Sequence, residues 1–292
     1  MALGYRPPYQ WERIVGFLGM RAIPGVEQVQ DGAYQRIVRL SGEKGPLLGW
    51  ITVANDAANN RVRLTLAEDL LPALPALLGK VRRLFDLDCD PAAVAETLRS
   101  IDDVIPGANV YGLRIPGCVD TFEVCCRAIL GQQISVKAAG VLAGRVAEAF
   151  GTPVEGAPEG LTCAFPTPED ILALDRPDRP LEEAFGQLGI IASRSRAILD
   201  VARLFANGTL NWDGPVDPQE EMAKLTAIKG IGPWTANYVA MRAMGYPDAF
   251  LETDGGVAHA LPDLTPKQRV ELAQQWRPWR SYAVMSLWES LS

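Results

Sequence analysis

LTAIKGIGPWTANY, residues 225–238, joins two helical patterns through a turn of a few residues. An apolar run ends at Ile228, two glycines bracket Ile231, and Pro233 restarts a helix, where a proline's missing N–H costs nothing. Glycines let backbone come close to a ligand, and a new helix N-terminus offers unpaired N–H groups at the positive end of its dipole. The turn therefore suits an anion. Taken alone, the same glycine pair is equally an ordinary corner with glycine as the C-cap. Trp234 and Tyr238 follow four residues apart, on one face of the second helix. They are either stacking rings beside the turn or plain core.

The rest of the chain decides between these readings. Its 292 residues, 48% of them apolar, suffice for one large or two ordinary domains with a sizeable core. Residues 1–20 lack the basic start, apolar centre and cleavage site of a secretory signal, and no apolar run reaches membrane-spanning length. A cytoplasmic chain with no membrane partner is expected. Cys89, Cys118, Cys125, Cys126 and Cys163 are scattered, and only His259 could help them bind a metal, so they read as reduced, buried thiols. The net charge is −7, from 28 Lys and Arg against 35 Asp and Glu, which by itself argues against a nucleic-acid partner.

The texture changes near residue 113. Before it, QRIVRLSG and RVRLTLAE alternate like strands, with Val62, Leu64 and Leu66 facing one way and Arg61, Arg63 and Thr65 the other. WERIVGFLGMRAI and LPALPALLGKVRRLFDL flank them with helical spacing; Pro72 and Pro75 hold back the second helix to near Ala76. Residues 1–113 thus form an α+β unit. Residues 114–292 read as helical throughout, with GTPVEGAPEG (151–160) as an internal loop. Thr167, Asp217 and Thr265 each cap a helix that starts on a proline, and Gln268 completes a capping box with Thr265.

A clamp alone only binds. Past the turn, FLETDGGVAHAL (250–261) places Asp254 ahead of a glycine pair and a short helical run, either as a helix N-cap or as a carboxylate at the mouth of a cleft. A Gly-Ile-Gly hairpin followed by a loop with a single Asp resembles the helix-hairpin-helix DNA glycosylase superfamily. RIPGCVDTFEVCCRAILGQQIS (114–135), LGIIASRSRAILDVARLFANGTL (188–210) and WRPWRSYAVMSLW (276–288) resemble its bacterial inducible 3-methyladenine DNA glycosylase II branch. With PPYQWERIVGFLGMRAI and KVRRLFDLDCDP the resemblance spans nearly the whole chain.

That resemblance implies an N-terminal antiparallel sheet with flanking helices, then a helical body in two halves around a cleft. It implies a monofunctional DNA glycosylase of base excision repair, acting as a monomer on double-stranded DNA that carries alkylated bases such as 3-methyladenine and 7-methylguanine. Asp254 takes the catalytic place; Trp234, Tyr238 and Trp288 take those of the base pocket, and Gly230, Gly232 and Thr235 those of the phosphate-binding turn. No cofactor is required, although the family's hairpin also holds a monovalent cation, sodium or potassium, through backbone carbonyls, here those of Thr226, Ile228 and Ile231. Backbone amides would let an acidic protein hold DNA without a basic patch.

The chain departs from the pattern twice. Where the family wedges a leucine into the duplex, it has Gln133 followed by Ile134, and either could serve. Thr253 stands where a second acid precedes the catalytic one. With three aromatic faces and no evident polar side chains to read a base edge, the pocket is expected to select cationic bases by charge and stacking. A glycosylase/lyase of the superfamily has a lysine two residues after the second glycine; here that is Trp234, and Lys229 lies on the other side of the turn. An iron–sulfur relative needs four cysteines after the hairpin, and none follows Cys163. A non-enzymatic hairpin module and a glycosylase for oxidised bases are the remaining alternatives.

Overall fold

The structure, a computed structural model, describes residues 1–291. Five antiparallel strands come first: β1 (Ala2–Gly4), β2 (Glu27–Gln30), β3 (Ala33–Gly42), β4 (Gly45–Asp56) and β5 (Arg61–Leu66), in the spatial order β1-β5-β4-β3-β2. Among them lie α1 (Trp11–Met20), between β1 and β2, and α2 (Leu74–Leu84) with α3 (Pro91–Thr97) after β5. The helical body follows: α4 (Thr121–Leu130), α5 (Val136–Phe150), α6 (Pro168–Leu174), α7 (Leu181–Gly186), α8 (Ala192–Ala206), α9 (Pro218–Thr226), α10 (Pro233–Ala243), α11 (Gly255–Ala260), α12 (Pro266–Leu272) and α13 (Arg280–Glu289). No helix among the described residues is long and apolar enough to cross a membrane.

The alternation read in β5 sets the sheet's register. Val62 and Leu64 are buried, Val53 pairs with Leu64, and with Tyr34, Val38 and Leu40 they make one face, covered by α1 and α2. α2 begins at Leu74 rather than near Ala76, because Pro75 fits in the first helical turn and only Pro72 is left outside, in a 3₁₀ turn. Thr167 and Thr265 form complete capping boxes, with Asp170 and Gln268, and Asp217 caps α9 through Gln219 N.

The segment expected to be a plain loop does more. Thr152–Pro153 (β6) pairs with Cys163–Ala164 (β7), Leu161 bridges to Gly25, and Leu161 and Ala164 pack against Ile37 on the back of the sheet. That face would otherwise leave Ile37 and Trp50 uncovered, so tertiary burial imposes strand geometry on a stretch with no strand pattern of its own. All five cysteines are free thiols, four of them buried.

Two apolar cores divide the helical body. One gathers residues of α4, α5 and α8 with Ile228 and Ile231; the other joins Phe250, Trp276 and the inner face of α13 to Leu98, Ile101 and Leu113. α10 belongs to both, since Ala236 and Val239 pack into the first and Met241 into the second. α1 is likewise shared: Trp11, Ile14, Val15 and Leu18 pack on the sheet, while Phe17 joins the core of α13. The seam where α1, α4, α10 and α13 meet is where the chain leaves space.

Candidate base pocket and hairpin

The hairpin is α9, a turn and α10. Ile228 and Ile231 are buried, anchoring the turn, and Lys229, Gly230 and Gly232 are exposed between and beyond them. Gly230 has φ +96°, a left-handed conformation that a side chain would strain, whereas Gly232 is the N-cap of α10 at φ −97°. A Cβ on Gly232 meets nothing within 4 Å, so no steric demand of the fold requires glycine there. No side chain caps α10, which leaves its first-turn amides open to a ligand. Thr235 is buried, and its hydroxyl accepts from Gln132 Nε2 at 3.1 Å; what it retains for an anion is its backbone N–H.

Gln132 also donates to the Gly230 carbonyl at 2.9 Å, and Arg194 donates to the Gln132 carbonyl. The turn after α4 is therefore tied to the hairpin on one side and to α8 on the other. At its tip Gln133 is exposed with φ +57°, while Ile134 is half-buried and lines the cavity wall.

That cavity, about 620 Å³, lies at the seam and is within the usual range for ligand pockets. Asp254 sits on its wall and is also the N-cap of α11, so both readings of this residue hold at once. Four N–H groups converge on its carboxylate: Oδ1 accepts from Gly256 N (2.8 Å), Val257 N (3.0 Å) and Trp288 Nε1 (2.8 Å), and Oδ2 from Trp234 Nε1 (3.0 Å). Gly256 is required by close approach, since a Cβ there would lie 2.6 Å from Trp288 Cδ1. The two indoles thus serve as pocket wall and as clamps on the acid. Trp234 stacks on Tyr238 with centroids 5.4 Å apart and planes 10° off parallel; Trp288 stacks on Phe17 at 6.0 Å and 20°.

The structure brings Asp254, Trp234, Tyr238 and Trp288 together around one cavity, and it adds side chains that the sequence did not disclose. The expectation of a pocket without polar side chains is corrected here, because α1 and α4 bring arginines to the wall: Arg13, ion-paired with Glu289, Arg21, and Arg127. Arg242, buried behind Tyr238, donates to its hydroxyl at 2.8 Å. Burial works to raise the Tyr238 phenol's pKa, but the guanidinium groups of Arg242, Arg21 and Arg127 outweigh it and hold the phenol below its ordinary value. Phe17 lies on α1 and Arg21 is that helix's C-cap; the main apolar stripe of α1 faces the sheet, and Phe17 lies off it. His259 and Lys229 are exposed and away from this wall.

Residues 1–120 match the family described as the AlkA N-terminal domain, and residues 126–276 the HhH-GPD superfamily of base excision DNA repair proteins. DNA-3-methyladenine glycosylase 2 of Escherichia coli K12 is 38% identical over 286 residues, 98% of this chain and 95% of that protein. A probable bifunctional transcriptional activator/DNA repair enzyme AlkA of Mycobacterium tuberculosis H37Rv is also 38% identical, over all of this chain and 57% of its own length. In fold, a solved 3-methyladenine DNA-glycosylase from Archaeoglobus fulgidus superposes with a TM-score of 0.74 at 22% identity, covering 99% of this chain and 97% of that one.

Proposed function

Because the chain belongs to the HhH-GPD superfamily of base excision DNA repair proteins, we propose that it is a monofunctional DNA glycosylase, which flips alkylated bases out of duplex DNA and hydrolyses their N-glycosidic bond. The observation that carries this reading is the carboxylate of Asp254, clamped by two indole N–H groups at a cavity walled with stacked rings. As the bond to a damaged base lengthens, the sugar gains oxocarbenium character. Asp254 stabilises that cation and orients or deprotonates the water that attacks C1′. The extruded base stacks between the aromatic walls, which helps offset the few kcal/mol needed to unstack it. Gln133, at the exposed tip, fills the gap in the duplex, and Ile134 stays in the wall. A binding module would have no use for the cavity or for a carboxylate held in it.

The first turn of α10 takes a DNA phosphate, and one copy of the chain suffices for the complex. The neutral carbonyls of Thr226, Ile228 and Ile231 are the right donor type for a hard monovalent cation beside it. The Ile228 carbonyl already accepts from Ile231 N at 3.1 Å, leaving its second lone pair. Such an ion would add positive charge near the phosphate; no step of base release depends on it.

Free base should appear when the protein is incubated with methylated duplex DNA, resolved by chromatography as 3-methyladenine and 7-methylguanine. Borohydride should trap no covalent adduct, because the lysine slot holds Trp234, whose N–H is committed to Asp254. A trapped adduct on Lys229 would overturn the monofunctional reading.

The clamp has its own test in Gly232→Ala. The fold has room for that methyl group and the backbone is not left-handed, so the melting temperature should hold while DNA affinity falls about ten-fold, roughly 1.4 kcal/mol. Gly230→Ala should cost about 1 kcal/mol of stability as well, through its positive φ. Unchanged affinity in a well-folded Gly232→Ala protein, read by fluorescence anisotropy, would make the turn an ordinary corner.

A further inference from the structure

Three arginines stand at the cavity wall, and two have carboxylate partners: Arg13 has Glu289, and Arg127 has Glu27 and Glu123. Arg21 pairs with no carboxylate among the described residues. Its guanidinium lies over the Phe17 ring, 3.7 Å from the centroid, and 5.8 Å from the centroid of Trp288, which itself donates to Asp254. Stacking occupies the face of a guanidinium and leaves its N–H edge for a ligand. Burial depresses the Arg21 pKa and the Tyr238 phenol opposes that shift only in part, so this charge is held at a desolvation cost that no carboxylate offsets. A pocket built only to attract cationic bases would not carry it, since a cation is attracted by the rings and repelled by the guanidinium.

We propose that Arg21 is a specificity-determining residue, one that stabilises the negative charge gathering on a neutral base as it departs and disfavours bases that are already cationic. The proposal rests on the glycosylase reading above. When the bond from C1′ to a neutral purine breaks, both electrons stay with the base, and the charge spreads onto its ring nitrogens and exocyclic oxygen. Water adds to C1′ and loses one proton, and the base anion takes one up, so the sum is hydrolysis. A base alkylated at a ring nitrogen departs neutral and leaves Arg21 no charge to hold. The guanidinium therefore acts on one class of leaving group and not on the other.

Hypoxanthine and 7-methylguanine test this because both carry an exocyclic oxygen at the same ring position and differ in charge. Single-turnover release is measured for each, in one duplex sequence under saturating enzyme, for the wild type, Arg21→Met and Arg21→Lys. Met keeps the stem against Phe17 without the charge; Lys keeps the charge. The ratio of the hypoxanthine rate to the 7-methylguanine rate should fall about ten-fold or more in Arg21→Met and by less in Arg21→Lys. Because it is a ratio, loss of folded protein does not move it. An unchanged or increased ratio in Arg21→Met, or a wild type that releases 7-methylguanine but no hypoxanthine, would overturn the role of Arg21 alone. A wild type that releases neither base would overturn the glycosylase reading, and this one with it.

Discussion

Asp254→Asn is expected to lower base release by on the order of 10³-fold or more while DNA affinity stays level or rises. The charge acts on the sugar cation, which exists only near the transition state. Against the phosphate backbone the same charge is repulsive, so neutralising it should not weaken binding. The fold should survive, because Asn is as good an N-cap as Asp and can still accept from Gly256 and Val257 through one oxygen. One cost is specific. With its oxygen in the place of Oδ1, the Asn amide group points an N–H at the Trp234 indole N–H, and that donor loses its acceptor. Trp234 should therefore loosen against Tyr238, visible as a change in tryptophan fluorescence with a small change in melting temperature. Excision within ten-fold of wild type in single-turnover assays would remove Asp254 from the chemistry and leave it as a cap.

Asp254 also shows what the sequence could and could not disclose. Local signals were legible: the capping boxes at Thr167 and Thr265, the Val62–Leu64–Leu66 alternation, and a hairpin whose Gly230 is set by the positive φ of the turn itself. Each depends on neighbours within a few residues. The acid's surroundings depend on distant ones. Trp288 reaches Asp254 from 34 residues away, and Gly256 is glycine because that indole needs the space. Phe17 and Arg21 reach the pocket from α1, with no periodicity to mark them, because the helix has two buried sides and only one was visible as a stripe. Gln132 carries no local signal of a role; its amide bonds to Gly230 and Thr235 form only when two turns almost a hundred residues apart are brought together.

Arg36→Met should cost about 3–5 kcal/mol of stability and lower the melting temperature by on the order of 10 °C. Arg36 on β3 lies buried in a network with Glu27 on β2 and with Glu123 and Arg127 on α4: Arg36 Nη2 meets Glu123 Oε2 at 2.7 Å, Arg127 Nη1 meets Glu27 Oε1 at 2.6 Å, and Tyr34 donates to Glu27. Two acids balance two bases, and removing Arg36 leaves one carboxylate uncompensated where its side chain is 1% exposed. Burial already pushes the Glu123 pKa up against the pull of Arg36, and without Arg36 it should go higher. A carboxyl raised in this way is least harmful to the fold below its unfolded value, about 4.3, and its penalty grows as pH rises through the folded value. The deficit of Arg36→Met relative to wild type should therefore shrink as pH is lowered from neutral. Adding Glu123→Gln removes the orphaned charge, so the double variant should be more stable than Arg36→Met alone, a sign that simple loss of packing does not produce. A double variant no better than the single, or a single within about 1 kcal/mol of wild type, would contradict the network's weight. The same network reaches the pocket, since Arg127 also donates to the Arg21 carbonyl. The ion pairs that join sheet to helical body thus fix the end of α1 where Phe17 and Arg21 meet the base, so base release by the single variant should fall further than its folded fraction explains.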